Sequence, residues 1–153
     1  MDIKELKPTS IWHYFDAITG VPRPSKKEER IREFLLNFAK EQNLEVKVDK
    51  TGNVVITKEA TPGCEGAPTV ILQAHMDMVC EKNGDVKHDF ERDPIETYID
   101  GEWVKARGTT LGADNGIGMA AAMAVLADKE LKHGRIQALF TVDEETGLTG
   151  AFG

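Results

Sequence analysis

Apolar residues recur along this chain with two periods, one helical and one of strict alternation. Ile11, Phe15 and Ile18 fall at helical spacing behind Ser10, a candidate N-cap, and Gly20 with Pro22 and Pro24 ends that helix. Ser25 with Glu28 three residues later fits a capping box, and Ile31, Phe34, Leu35 and Phe38 form the stripe of a second helix running to about Asn43. The period then shifts to two. Leu44 to Asp49 alternates apolar with charged residues, Thr51-Gly52-Asn53 turns, and Val54-Val55-Ile56 returns, which predicts a hairpin. A Pro- and Gly-rich loop over 61–68 feeds Thr69 to Asp77, where Val70, Ile71 and Leu72 predict a strand covered on both faces.

Beyond Gly84 the chain is polar and irregular as far as Pro94, and His88 lies there among acids, as expected of a solvated loop. Thr97-Tyr98-Ile99 and Glu102-Trp103-Val104 flank Asp100-Gly101, a second hairpin signal. A Gly-rich stretch from Gly108 to Gly118 opens into a helix over Met119 to Ala127, so Asp114 falls in a tight loop at a helix N-terminus. Arg135 to Val142 predicts another buried strand, and it ends in Asp143-Glu144-Glu145. Strands alternating with helices predict an α/β fold, a mixed sheet with helices on both faces, whose sites gather at strand ends.

Composition narrows the function classes. With 153 residues, 41% hydrophobic and 29% charged, the chain suits one ordinary globular domain. A net charge of -7 argues against nucleic acid or an anionic membrane as partner, and the basic pair Lys26-Lys27 is offset at once by Glu28-Glu29. No apolar run approaches the roughly 20 residues that span a bilayer, and the first residues lack the apolar core of an export signal. Two cysteines are too few for a disulfide framework or a Cys-rich zinc site, so a reduced, cytoplasmic protein is expected.

Candidate chemistry sits at the two strand ends. On a strand, His75 and Asp77 point the same way, so the carboxylate can hold the second ring nitrogen of a metal-binding imidazole, although a histidine merely satisfied at a strand end fits the same spacing. Three adjacent acids at 143–145 repel one another in a packed fold unless a cation or base offsets them. Divalent cations take imidazole and carboxylate ligands, and His75, Asp114, Glu144 and Glu145 offer them. A rival reading takes Gly116-Ile117-Gly118-Met119-Ala120-Ala121 as a cradle for a dinucleotide pyrophosphate. Its context is unsuitable, because no apolar strand precedes it and Asp114 would face the phosphates.

Taken together, His75-Met76-Asp77, Gly112-Ala113-Asp114-Asn115-Gly116-Ile117-Gly118 and Asp143-Glu144-Glu145-Thr146-Gly147 resemble the metal-site motifs of the M20 metallopeptidases, in the wording of their aminoacyl-histidine dipeptidase branch. The similarity runs the length of the chain, including Gly20-Val21-Pro22-Arg23-Pro24-Ser25. It implies a two-zinc site, with cobalt or manganese as substitutes, acting on dipeptides of the Xaa-His type and more broadly. In that scheme His75 binds one ion, Asp114 bridges two, Glu145 binds the other, Asp77 orients the site, and Glu144 is the general base. An M20-type deacylase would use the same ligands, and a non-catalytic metal or nucleotide binder is the reading from another class. The resemblance also implies that residues 1–153 are the N-terminal portion of a catalytic domain whose remainder, with a lid that builds homodimers, lies elsewhere. On that basis the 153 residues alone should be a poor peptidase, with the strand at 135–142 left with an exposed edge or apolar face that invites aggregation or pairing with a partner chain.

Overall fold

A computed structural model describes residues 2–153. The chain enters through a single 3₁₀ turn, Ile3–Glu5, capped reciprocally by Asp2 and Glu5. Helix α1 spans Thr9–Thr19 and α2 spans Glu29–Glu41. Strands β1 (Glu45–Val48) and β2 (Val54–Lys58) form the expected first hairpin. Asp49 closes its turn, its Oδ1 accepting from the backbone N–H of Thr51, Gly52 and Asn53 at 2.8–2.9 Å. Strand β3 is Val70–His75, β4 and β5 are Thr97–Asp100 and Trp103–Ala106, α3 is Ala113–Ala127, and β6 is Ile136–Thr141.

The main sheet has the order β1-β2-β6-β3, with β4 and β5 forming a separate hairpin. β2 runs antiparallel to β6 and β3 parallel to it, so the sheet is mixed, as expected. Phe15 and Ile18 of α1, Ile31, Leu35 and Phe38 of α2, and Met119 and Met123 of α3 share one buried cluster with Val54, Ile56, Ala74, Ala138 and Phe140 of the sheet. The alternate sheet residues Val55, Ile71, Gln73 and Leu139 point the other way and are half-buried or exposed. That second face leads to the end of the sheet where His75 emerges.

Several local expectations are corrected. Val70 and Ile71 are not covered on both faces: they are 50% and 61% exposed, because β3 is the outer strand. The strand at 135–142, expected to expose an edge or apolar face, instead lies between β2 and β3 with Ile136, Ala138 and Phe140 buried. Ser10 lies inside α1, which starts after Pro8 in an extended conformation. Ser25 does not cap α2 either, since the helix begins at Glu29 with no side-chain cap and the Ser25 hydroxyl is bonded elsewhere. The last helix starts earlier than Met119, after Gly112 in the left-handed region at φ +71°, and Asp114 and Asn115 depart from helical dihedrals.

Candidate functional site

Parallel pairing of β3 with β6 fixes the site. The register sets His75 against Thr141, and the Met76 N–H donates to the Thr141 carbonyl at 2.7 Å, so the segments after both strands leave the sheet side by side. His75, at the end of β3, has both ring nitrogens engaged. Its Nδ1 lies 3.0 Å from the Asp77 carbonyl oxygen and 3.3 Å from Asp77 Oδ1, and its Nε2 lies 2.9 Å from Asp114 Oδ1. Glu144 Oε2 stands 3.9 Å from the same Nε2. The i, i+2 geometry read from the sequence is therefore present, and the helix-start loop brings Asp114 to the imidazole from 39 residues away.

Asp77 is completely buried and does more than face the ring. Its Oδ1 accepts from the Glu144 N–H at 3.0 Å, and its Oδ2 accepts from the Glu145 N–H at 3.2 Å and from the Ser25 hydroxyl at 2.7 Å. One carboxylate thus holds the imidazole and the backbone of both glutamates. Burial opposes its charge, but the His75 ring, the Ser25 hydroxyl and the two N–H groups hold its carboxyl well below the usual range.

The fold separates Asp143 from the other two of the three consecutive acids. Asp143 turns inward, buried, where it accepts from the hydroxyls of Thr146 and Thr149, while its own N–H donates to Glu28 Oε1 at 2.9 Å. Glu144 and Glu145 face the other way. Asn53 braces the same turn, accepting from the Val142 N–H at 3.0 Å and donating to the Gly150 carbonyl at 2.8 Å. Glu28, Asp77 and Asp143 also offer ligand atoms within 4.8 Å of one another, but protein N–H and O–H donors reach both oxygens of Asp77 and of Asp143 and Oε1 of Glu28.

His75, Asp114 and Glu145 each offer a ligand atom, and these lie within 4.8 Å of one another. Beside them opens a cavity of about 650 Å³ lined by residues that include Gln73, His75, Asp114, Thr141 and Glu144. Burial tends to lower the His75 pKa, but the Asp77 and Asp114 carboxylates outweigh it and raise it to about 9. The Glu145 carboxyl is pushed up, first by burial and then by Glu144, Asp114 and Asp77, with His75 opposing. The cluster therefore binds a proton where a cation would fit, and imidazole with carboxylate oxygens is a donor set suited to zinc, cobalt or manganese. His88 is apart from it, half-buried and stacked edge-on against Phe90. Both cysteines are free.

Sequence reasoning did not find Ser25, Glu28 or Asn53 as supports. Ser25 and Glu28 carried a signal, but the same residue types at that spacing also cap helices.

The model of peptidase family M20/M25/M40 matches residues 71–153. The chain is 53% identical to the cytosol non-specific dipeptidase of Escherichia coli (strain K12) over 152 residues, which is 99% of this chain and 31% of that protein. Among solved structures, the aminoacylhistidine dipeptidase of Vibrio alginolyticus superposes with a TM-score of 0.97 at 57% identity, covering 100% of this chain and 31% of the other. A tripeptidase of Staphylococcus aureus superposes with a TM-score of 0.78 at 25% identity, covering 96% and 39%. The chain spans roughly a third of the length of these relatives, with 31% of the first two covered. A matched region that holds His75, Asp114 and Glu145, and this likeness along the whole chain, lead to one conclusion: the chain belongs to peptidase family M20/M25/M40.

Proposed function

We propose that the whole protein is a metal-dependent dipeptidase, acting on Xaa-His and other dipeptides in the cytoplasm, and that residues 1–153 are the first part of its catalytic domain. The observation that carries this reading is the convergence of His75, Asp114 and Glu145 beside a free Glu144, in a chain more than half identical to two proteins named as dipeptidases. In the cell, the name of the Escherichia coli relative points to the cytosol, and no helix among the described residues is long and apolar enough to cross a membrane. A homodimer of the whole protein belongs to the same proposal.

His75 would hold one ion, Glu145 the second, and Asp114, with two carboxylate oxygens, both. When bound, the ions polarise the scissile carbonyl and lower the pKa of water to about 7. Glu144 has a partly exposed carboxylate within reach of the same volume, and its role is to take a proton from the attacking water and return it to the leaving amine. Asp77 keeps the imidazole oriented so that Nε2 faces the centre, and through the N–H groups of Glu144 and Glu145 it fixes the base relative to the ligands.

The test is metal removal from the full-length protein. Stripped by a chelator, it should lose hydrolysis of an Xaa-His dipeptide and regain it on adding zinc, cobalt or manganese. Undiminished hydrolysis by protein shown to be metal-free would contradict the proposal.

A further inference from the structure

Arg23 is 2% exposed, the largest of the fully buried side chains, and it does not donate to a carboxylate. Its Nη1 donates to the carbonyls of Met76 and Asp77 at 3.0 and 3.2 Å, and its Nη2 donates to the carbonyl of Gly112. Those carbonyls belong to two separate segments, one carrying His75 and Asp77 and the other leading into Asp114. The arginine is itself pinned: the Met78 N–H donates to its carbonyl at 3.1 Å, and Pro24 bridges in parallel to Met78.

The Gly-rich loop is shaped around this side chain. A Cβ on Gly112 would lie 2.5 Å from Arg23 Nη2, and one on Gly116 would lie 2.8 Å from the same nitrogen. Both separations are shorter than non-bonded atoms tolerate, so the two glycines leave room for the guanidinium, and Gly116 also for the Phe15 ring, whose nearest carbon would lie 3.0 Å from that Cβ. One glycine of the motif read as a possible phosphate cradle, Gly116, thus has an occupant within the chain. Burying this charge is costly even with the Asp77 carboxylate partly offsetting it, and a fold retains it where planar, forked geometry is needed.

We propose that Arg23 is a positioning residue of the metal centre: its fork ties the His75–Asp77 arm to the Gly112–Asp114 loop and thereby sets the separation of the His75 and Asp114 ligand atoms. The inference rests on the metal-centre reading above. A lysine keeps the charge but presents one nitrogen, which cannot span both segments as Nη1 and Nη2 do. The effect of losing the fork falls on ligand spacing, and hence on metal affinity, beyond any general loss of stability.

The experiment is a cobalt(II) titration of the metal-free full-length protein, followed by visible absorption and by melting temperature. It compares wild type, Arg23→Lys, Gly116→Ala, which crowds the fork while keeping the charge, and Leu35→Ala, a core variant away from the centre. Arg23→Lys is expected to weaken cobalt binding at least tenfold and to change the visible band. Gly116→Ala should move both readouts the same way, while Leu35→Ala lowers the melting temperature and leaves affinity within twofold. Wild-type affinity and spectrum in Arg23→Lys, or losses no larger than those of Leu35→Ala, would overturn the proposal. If Arg23→Lys does not fold, unchanged binding by Gly116→Ala overturns it equally. Absence of cobalt binding by the wild type would instead remove the metal-centre reading, and this inference with it.

Discussion

At the scale of single residues, the site is one imidazole set among four carboxylates. One imidazole faces Asp77, Asp114, Glu144 and Glu145, and its pKa rises to about 9. In the metal-free protein, that raised value stabilises the fold fully below the ordinary value of 6.5, and the contribution is lost as pH rises through about 9. Asp77 acts with the opposite sign, stabilising above its ordinary 3.8 and losing its contribution as pH falls through its lower folded value. Between 6.5 and 9 a bound metal must displace the His75 proton, so affinity should climb with pH and binding at pH 7.5 should release protons. Calorimetry in two buffers of different ionisation enthalpy measures this, and binding heats that do not depend on the buffer would contradict it. Glu144→Gln, in the full-length protein, should retain its metal and lose about 10²- to 10⁴-fold in kcat, since it removes the base and leaves the ligands. Equal kcat in that variant would exclude Glu144 as the base. The pairing of His75 with Asp77 was legible from their spacing, although β3 ends at His75 and Asp77 reaches the ring from just beyond the strand. Ser25 was misread because a hydroxyl that suits a helix N-cap suits a buried carboxylate equally, and only the long-range fold decides between them.

At the scale of elements, both hairpins and both amphipathic helices were legible from period and turn chemistry, and their bounds shifted by a few residues. The Thr69–Asp77 strand was readable as a strand but not as an edge, since a β-branched run reports propensity while exposure depends on which neighbours arrive. The turn after β6 depends on such a neighbour, Asn53 just before β2. Asn53→Ala removes both of its buried bonds, to Val142 and Gly150, and should cost about 1–3 kcal/mol in stability. Urea denaturation followed by fluorescence measures the cost, and because the turn carries Glu145, metal affinity should weaken as well. A midpoint equal to that of wild type would show that the turn holds without Asn53.

At the scale of the molecule, one parallel pairing gathers residues from 75 to 145 into a single volume, and no local pattern in the sequence announces it. The family motifs made the candidate ligands legible in advance, while the spacing of those ligands is set by the sheet and by buried groups such as Asp77. The exposed outer strand leads to a prediction for the 153-residue chain expressed alone. With Val70 and Ile71 open on β3, it should self-associate, and Ile71→Lys should reduce this in sedimentation velocity. On the proposed ligand set each ion would have two protein ligands within these residues, whereas catalytic zinc ordinarily has three, so turnover of an Xaa-His dipeptide should fall more than about tenfold below the full-length protein. Comparable turnover would mean that these residues suffice.

The central claim is that His75, Asp114 and Glu145 hold the metal. Anomalous diffraction at the zinc edge, from crystals of the full-length protein grown with zinc, tests it most directly. Two peaks are expected roughly 3.5–4 Å apart, with Asp114 between them, His75 Nε2 on one and Glu145 on the other. Zinc bound elsewhere, for example among Glu28, Asp77 and Asp143, with none at His75, would contradict the account.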